Sequence, residues 1–188
     1  MAIIGKLLKN RRAGEDGLAS NLPGLAGGKT FELTSPDFAH ESVLDKIHAS
    51  KRVGGQDLSP ALAWSGLPGD AAQLLLVIED PDAPTGLPFV HCVALLDLAL
   101  TALPQGSLHA DTTTPGVRVL RSGMGRGYQG PAPIKGHGPH RYTFQLFALT
   151  TPITEVAGKS PESAKPRDVL ATAEANAQAR IDGFYERR

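Results

Sequence analysis

The sequence is short of features that would each point to a class of protein. It has one cysteine, Cys92, among 188 residues, so no internal disulfide can form. That composition suits a reducing cytoplasm. Its 19 basic and 19 acidic residues leave no formal net charge, which removes the long-range attraction on which nucleic-acid binders rely. We therefore expect a cytoplasmic protein with no nucleic-acid partner, in which any anion is bound by local contacts.

Long apolar runs are missing as well. The longest, around residues 74–78, falls far short of the roughly 20 residues that cross a bilayer. At the N-terminus, Lys6 interrupts the apolar residues and further basic residues follow, so there is no continuous apolar core of a secretory signal. The sequence therefore predicts no stable insertion into a membrane.

Residues 1–29 predict an N-terminal extension made of a short helix and a flexible linker. Ile3, Ile4, Leu7 and Leu8 recur at helical spacing, with basic residues clustered behind them. A helix on a membrane surface is one interpretation, and a short helix that packs on the domain or on a second copy of the chain is the other. So few apolar residues favour packing, and a homodimer is left open. Three glycines between positions 24 and 28 mark the flexible connection.

Residues 30–188 predict a single domain that is mainly β. Apolar runs and alternating patterns predict strands over residues 31–33, 61–64, 73–79, 90–98 and 141–149. Proline and glycine are dense enough to exclude long helices over residues 54–139. Near the C-terminus Pro166 can start a helix. The residues expected on one face of that helix are Val169, Ala173, Ala177, Ile181 and Phe184.

Polar side chains with useful chemistry lie at the ends of these strands. Asp80 ends one apolar run, because Pro81 takes the chain out of regular pairing. Strand alternation places His140 and Tyr142 on one face and Arg141 on the other, where a structural ion pair is expected. We therefore expect these strand ends to converge on a common cavity.

A second imidazole is expected at the same place. Alternation puts His91 on the face of Val93 and Leu95, with Cys92 on the opposite face as a small buried hydrophobe. Gly130 lies in a Gly/Pro-rich turn, and without a Cβ it would let the backbone approach an anion closely.

These groups together have the chemistry of a small anion site. We expect Asp80 to accept a hydrogen bond from one imidazole and to favour its protonated form. The other ring nitrogen would then be a charged donor toward the ligand. The Tyr142 hydroxyl would add a neutral donor.

The motifs themselves resemble a known family. They run in order through Phe31-Glu-Leu-Thr-Ser-Pro36, Leu58-Ser-Pro-Ala-Leu-Ala-Trp64, Asp80-Pro-Asp-Ala-Pro84, Gly127-Tyr-Gln-Gly-Pro-Ala-Pro133 and Gly136-His-Gly-Pro-His-Arg-Tyr142. This set resembles the phosphatidylethanolamine-binding protein family in its bacterial, Raf-kinase-inhibitor-like form. Several motifs in one order are much harder to match by accident than a single motif.

The resemblance implies a fold and a set of site residues. It implies a phosphatidylethanolamine-binding-protein-like β-sandwich with short peripheral helices, a C-terminal helix, no cofactor and no metal requirement. The ligand-binding residues it implies are Asp80, His91, Gly130, His140 and Tyr142. The rim residues it implies are Asp82, Pro84 and Pro131.

The resemblance also implies a function. It implies non-enzymatic binding of a small anionic ligand such as phosphate or phosphorylethanolamine, a phospholipid headgroup. Some relatives are named for inhibiting a kinase or a protease, so a target of that kind is a further expectation. This chain has Cys92 after His91 and Ala132 in the proline turn, where many bacterial members differ. Those differences bear on ligand preference more than on fold.

A metal-dependent hydrolase is the alternative. His137 and His140, with Asp80, His91 or His109, could supply enough nitrogen and oxygen ligands. A His-Gly-Pro-His turn lacks the helical spacing that holds two imidazoles on one metal, which favours the anion site.

Overall fold

The computed structural model describes residues 2–187, except the side chains of Ala2 and Ile4. Its two α-helices are α1 (Ala2–Leu8) and α2 (Pro166–Thr172). The strands are β1 (Lys29–Thr30), β2 (Glu32–Thr34), β3 (Ser42–Val43), β4 (Leu62–Ser65), β5 (Gln73–Asp80), β6 (Phe89–Leu96), β7 (Ala102–Leu103), β8 (Val117–Val119), β9 (Arg121–Ser122), β10 (Gly125–Arg126), β11 (His140–Leu149) and β12 (Ala175–Tyr185). Short 3-10 turns cover Glu15–Gly17, Ala19–Asn21, Lys46–His48 and Lys51–Val53.

A seven-stranded sheet forms the centre of the fold. Six of its strands run in the order β1-β12-β11-β5-β6-β8, and β3 also pairs with β12. The long strands β5, β6, β11 and β12 pair antiparallel, while β1 and β3 lie parallel to β12. A smaller sheet has the order β2-β4-β7, and β9 with β10 makes a hairpin. The fold is therefore mostly β, as predicted.

One face of the central sheet packs on the smaller sheet. Ile78 and Phe144 from the central sheet share a buried core with Leu33, Leu62 and Trp64 from the smaller sheet. This packing is the predicted β-sandwich.

The other face is also buried. Leu75, Val77 and Phe147 pack beneath Leu25 and Leu170, which come from the N-terminal segment and α2. A sheet covered on both faces needs apolar residues at successive positions. This explains the unbroken apolar run in β5.

The C-terminal helix is present but shorter than the pattern predicted. It ends at Thr172, and Ala175–Tyr185 is the strand β12, paired along β11. The helical prediction for Ala177, Ile181 and Phe184 is therefore wrong. A spacing of four residues is a multiple of two, so it fits one face of a strand as well as one face of a helix.

Helix α1 forms as predicted and packs on the domain. A Cβ added at Gly5 would lie 2.2 Å from the Lys135 carbonyl oxygen, so the helix lies directly against that backbone. Ile3 and Leu7 point outward, with 73% and 80% of their surfaces exposed. None of the described helices is long and apolar enough to cross a membrane.

The segment after α1 is packed, although the glycines predicted a flexible linker. Leu18, Ala19 and Leu25 are fully buried, and a Cβ at Gly24 would lie 2.3 Å from the Ala173 carbonyl oxygen. Here glycine permits close approach of two backbones.

A buried carboxylate joins this segment to the sheet. Glu79 accepts hydrogen bonds from the Ala19 amide at 2.7 Å and from Gln145 at 2.8 Å. Arg167 of α2 lies 2.8 Å from its other oxygen. Burial raises the pKa of Glu79, and the charge of Arg167 opposes that rise. The ion pair therefore compensates a charge that would otherwise be buried alone.

We predict that Arg167→Met lowers the free energy of unfolding by about 3–5 kcal/mol, because it leaves the Glu79 carboxylate unpaired. Arg118→Met is the matched control, since Arg118 pairs with Glu162 at the exposed surface, and it should cost less than about 1 kcal/mol. Urea denaturation of both variants measures the difference.

The same variant has an expected pH dependence. The pKa of Glu79 is raised above its unfolded value of 4.5 by burial, and Arg167 opposes that rise. Without Arg167 the pKa should rise further, so the folded variant takes up the proton at a higher pH than the unmodified protein does. The cost of Arg167→Met should therefore be smaller at about pH 5 than at about pH 7.5. Equal costs for the two arginine variants at both pH values would contradict this role of Arg167.

Candidate functional site

A β-bulge in β6 turns His91 toward the smaller sheet. Glu79 pairs with Val90 and Ile78 pairs with Cys92, so His91 is the extra residue that has no partner in β5. Such bulges re-aim side chains beside functional sites.

Because of this bulge, His91 points to the opposite side of the sheet from the one predicted. Cys92 packs in the core between the two sheets, while Val93 and Leu95 pack on the opposite face. The His91 ring lies 5.1 Å from the Tyr142 ring, edge to face. His91 therefore shares the side of Cys92, and the prediction that it faces with Val93 and Leu95 is wrong because simple alternation cannot foresee a bulge.

A cavity of about 200 Å³ opens where these strands end. Its polar or charged lining residues are Ser50, Arg52, Asp80, His91, Gln129, His140 and Tyr142, with the backbone of Gly130. Its apolar lining residues are Ala83, Pro84, Phe89, Met124, Ala132, Pro133 and Ile134. All five residues predicted to bind ligand therefore line one cavity, although about 60 residues of chain separate Asp80 from Tyr142.

A chain of hydrogen bonds runs away from the cavity through two imidazoles. His140 Nδ1 lies 2.7 Å from Asp80 Oδ2, which is the bond expected of Asp80. His140 Nε2 lies 2.7 Å from His137 Nδ1. His137 Nε2 lies 2.8 Å from the carbonyl oxygen of Leu8 at the end of α1. Three of these residues are buried.

Counting protons along this chain fixes its charge. Each of its three hydrogen bonds holds one proton, and the last must sit on His137 because a carbonyl oxygen only accepts. Three protons shared by one carboxyl group and two imidazoles make the trio of Asp80, His140 and His137 neutral overall. The negative end of this neutral trio is at Asp80, whose charge opposes the lowering of the His91 pKa by burial and adds to the raising of the Tyr142 pKa by burial.

The imidazole that bonds Asp80 is His140. The sequence predicted that whichever imidazole paired with Asp80 would keep its other ring nitrogen as a charged donor toward the ligand, but in His140 that nitrogen is bonded to His137. The sequence indicates His137 only as a possible metal ligand, since nothing in the pattern shows which group its ring will contact.

His91 is the imidazole with a ring nitrogen to spare. Its Nδ1 contacts the Gln129 carbonyl oxygen, so this nitrogen carries a proton and donates. Its Nε2 makes no hydrogen bond with any described residue. Burial lowers the pKa of His91, although the nearby charge of Asp80 opposes this shift. In the neutral ring Nε2 is an acceptor, and it becomes a donor when the ring gains a proton.

Tyr142 lines the cavity and has a buried hydroxyl that no described residue bonds. The residue is 1% exposed, and its hydroxyl has no hydrogen-bond partner among the residues that the structure describes. Burial raises the pKa of Tyr142, with the charge of Asp80 adding to the rise, so the hydroxyl keeps its proton. A buried hydroxyl without a partner is costly unless a ligand or a water satisfies it.

The Gly130 amide is already occupied. It donates to the Asp57 carboxylate at 2.9 Å. A Cβ at Gly130 would lie 2.5 Å from the His48 carbonyl oxygen and 2.6 Å from the Ser50 nitrogen. Glycine is needed here because two backbone segments touch, which differs from the predicted close approach to an anion.

Of the three predicted rim residues, Pro84 lines the cavity, whereas Asp82 and Pro131 are not among its lining residues. Asp82 pairs with Arg12 at 2.6 Å and accepts from the Arg141 amide at 2.7 Å. The Pro131 carbonyl accepts from the Ser50 amide at 2.9 Å. Both residues therefore brace the loops that border the cavity.

Arg52 is a cavity residue that sequence analysis missed. It lies in the 3-10 turn Lys51–Val53 and lines the cavity from its exposed side. Nothing in a short polar stretch such as Ser50–Val53 indicates that one of two adjacent cations will reach a cavity.

The geometry does not favour the metal hydrolase. Both ring nitrogens of His137 and of His140 are held in hydrogen bonds, and His109 is exposed and is not a lining residue.

Within the described chain one other group of metal-ligand type occurs, formed by His40, Glu41 and Asp182. Asp182 pairs with Arg141 at 2.6 Å and with Arg180 at 2.9 Å. Burial alone would raise the pKa of Asp182, but the two guanidinium groups lower it overall. This group is therefore an ion-pair network, and it contains the structural ion pair expected of Arg141.

Comparisons with known proteins agree with the fold. A family model described as phosphatidylethanolamine-binding protein matches residues 34–186. A UPF0098 protein of Aquifex aeolicus is 34% identical over 167 residues, which are 86% of this chain and 92% of the relative. The UPF0098 protein PH1269 of Pyrococcus horikoshii is 33% identical over 76% of this chain and 71% of its own length.

A solved structure is similar as well. Escherichia coli YbcL, described as a new member of the mammalian PEBP family, matches with a TM-score of 0.74 and 30% identity. The match covers 84% of this chain and 99% of YbcL.

We predict that His137→Leu destabilises the protein by about 1–3 kcal/mol, because it leaves His140 Nε2 and the Leu8 carbonyl without a partner. Amide hydrogen exchange at residues 2–14 should also become faster, since the bond that fixes the end of α1 is lost. His109→Leu, at an exposed histidine, is the control and should change neither quantity. Unchanged exchange at residues 2–14 in His137→Leu would show that the network does not hold the helix.

Proposed function

The chain belongs to the phosphatidylethanolamine-binding protein family, and from that premise we propose that it binds a small anionic group in the cavity without enzymatic turnover. The ligand is a phosphate group, either free or as part of a headgroup such as phosphorylethanolamine. The residues that contact it are His91 and Tyr142, with His140 and Asp80 forming the neutral wall behind them.

The observation that carries this proposal is the unpaired Tyr142 hydroxyl. It is buried and protonated, and the ring that carries it lies edge to face with the His91 ring. An anionic oxygen would give this hydroxyl the hydrogen bond that no described residue supplies. The same oxygen would favour a proton on His91 Nε2, which converts a second group into a charged donor.

The size of the cavity supports a small ligand. Pockets for drug-sized molecules measure roughly 300–1,000 Å³, whereas this one measures about 200 Å³. A headgroup fits that space better than an acyl chain does. The mainly apolar walls also exclude water, which strengthens each hydrogen bond to a charged oxygen.

Binding suits the arrangement better than catalysis. Both nitrogens of His137 and His140 are engaged, and Cys92 faces the core, where burial raises the pKa of its thiol to about 12. A buried thiol of that kind is a poor nucleophile.

We predict that His91→Ala abolishes binding of phosphate and phosphorylethanolamine, and that Tyr142→Phe weakens it about tenfold. Phosphorus NMR titrations of the folded variants measure both effects. His109→Ala should bind as the unmodified protein does. Unchanged affinity in both His91→Ala and Tyr142→Phe would refute the site.

We also predict that affinity falls as the pH rises. The free protein has a lowered His91 pKa, and a bound anion raises it, so the complex holds more protons than the free protein. Affinity is then constant below the lowered pKa and decreases as the pH rises above it.

Calorimetry with sulfate isolates this effect, because the charge of sulfate is constant between about pH 5 and 8, where histidines titrate. Titrations in two buffers of different ionisation enthalpy should show proton uptake on binding. His91→Gln, which cannot gain that proton, should give a flat and weaker profile. A flat profile in the unmodified protein would mean that His91 is not the charged donor.

A further inference from the structure

Arg52 is held in a fixed position at the rim of the cavity. The Ser50 hydroxyl accepts from the Arg52 amide at 3.3 Å, and Gly54, with a φ of 86°, ends the turn in the left-handed region. The Ser50 amide donates to the Pro131 carbonyl, which joins the turn to the loop of the cavity wall. The backbone of Arg52 is therefore tied to the site itself.

The Arg52 guanidinium makes no hydrogen bond or ion pair with any residue between 2 and 187. By contrast, Arg12 pairs with Asp82 and Arg141 pairs with Asp182, each at 2.6 Å. Among the described residues, Arg52 thus has free donors beside a cavity that Tyr142 also lines. A guanidinium can donate two parallel hydrogen bonds to one phosphate group.

The carboxylates beside the cavity are bonded to groups other than the Arg52 side chain. Asp80 is bonded to His140 in the imidazole chain. Asp57 accepts from the amides of Lys51 and Gly130, and it is not a lining residue. The cationic groups that a ligand meets are consequently Arg52 at the rim and His91, once protonated, deeper in the cavity.

Two cationic groups match two negative charges. A phosphomonoester carries about two negative charges near neutral pH, whereas a phosphodiester carries one. The ammonium group of an ethanolamine diester would also bring a positive charge toward Arg52. The expected preference is therefore for a ligand with a terminal phosphate.

We propose that Arg52 is a specificity-determining residue, which makes the cavity select doubly charged phosphomonoesters over phosphodiester headgroups. This inference rests on the proposed function, because it assigns the ligand class of the same site.

The test compares glycerol 3-phosphate, glycerophosphoglycerol and glycerophosphoethanolamine by calorimetry at about pH 7.5, where the monoester is mainly doubly charged. The unmodified protein should bind glycerol 3-phosphate most tightly. Arg52→Gln should weaken that binding about tenfold or more while it changes the affinity for each diester less than about twofold. Lys51→Gln is the matched control, because this neighbouring cation is not a lining residue, and it should leave all three affinities unchanged.

Each other outcome is informative. Equal affinity for monoester and diesters, or an equal effect of Arg52→Gln on all three, would overturn the inference and leave the proposed function standing. An effect of Lys51→Gln as large as that of Arg52→Gln would attribute the preference to general surface charge and overturn it too. If none of the three compounds binds the unmodified protein, the proposed function fails and the inference fails with it.

Discussion

The β-bulge at His91, the one residue of β6 between Val90 and Cys92 that has no partner in β5, determines which side chains line the cavity. Without this bulge, strand alternation would place the imidazole in the core on the other face of the central sheet, among Val93 and Leu95. With it, His91 faces Tyr142. The unpaired backbone is satisfied from the other side, because the Gln129 amide donates to the His91 carbonyl. The Gln129 carbonyl in turn accepts from the His91 ring. The same short segment therefore pairs the bulge and fixes which ring nitrogen is free.

The buried polar groups around the cavity separate into two kinds. Asp80, His140 and His137 satisfy one another and the end of α1, and their charges cancel. A network that is fully paired in this way can be buried without a large desolvation cost. Among the described residues, the Tyr142 hydroxyl has no partner and the His91 ring is bonded only through Nδ1, and both residues line the cavity. Counting protons and hydrogen-bond partners thus separates the three residues that support the cavity wall from the two that are free to contact a ligand. Residue type alone would not separate them.

Strand alternation was enough to predict much of the fold and one half of the site. His140, Tyr142 and Arg141 lie on the predicted faces because β11 is regular until its shift after Ala148. The orientation of His91 could not be predicted, since a bulge depends on the pairing of two strands and not on the pattern of one. The spacing of apolar residues in β12 also predicts a helix, because residues four apart share a face in both structures. Contacts between distant loops, such as that of His137 with Leu8, leave no periodic signal in the sequence.

The residues before position 34, where the family match begins, belong to the domain because they supply hydrogen-bond partners to its buried polar groups. The match begins at residue 34, yet the Leu8 carbonyl accepts from His137 and the Ala19 amide donates to Glu79. Each bond satisfies a buried group that would otherwise be unpaired, and an unpaired buried group costs more than a lost surface contact. Leu18 and Leu25 add apolar burial against the second face of the sheet. The outward Ile3 and Leu7 therefore belong to a helix that is anchored by its inner face. The hydrogen bonds of that face lead, through two imidazoles, to the cavity wall.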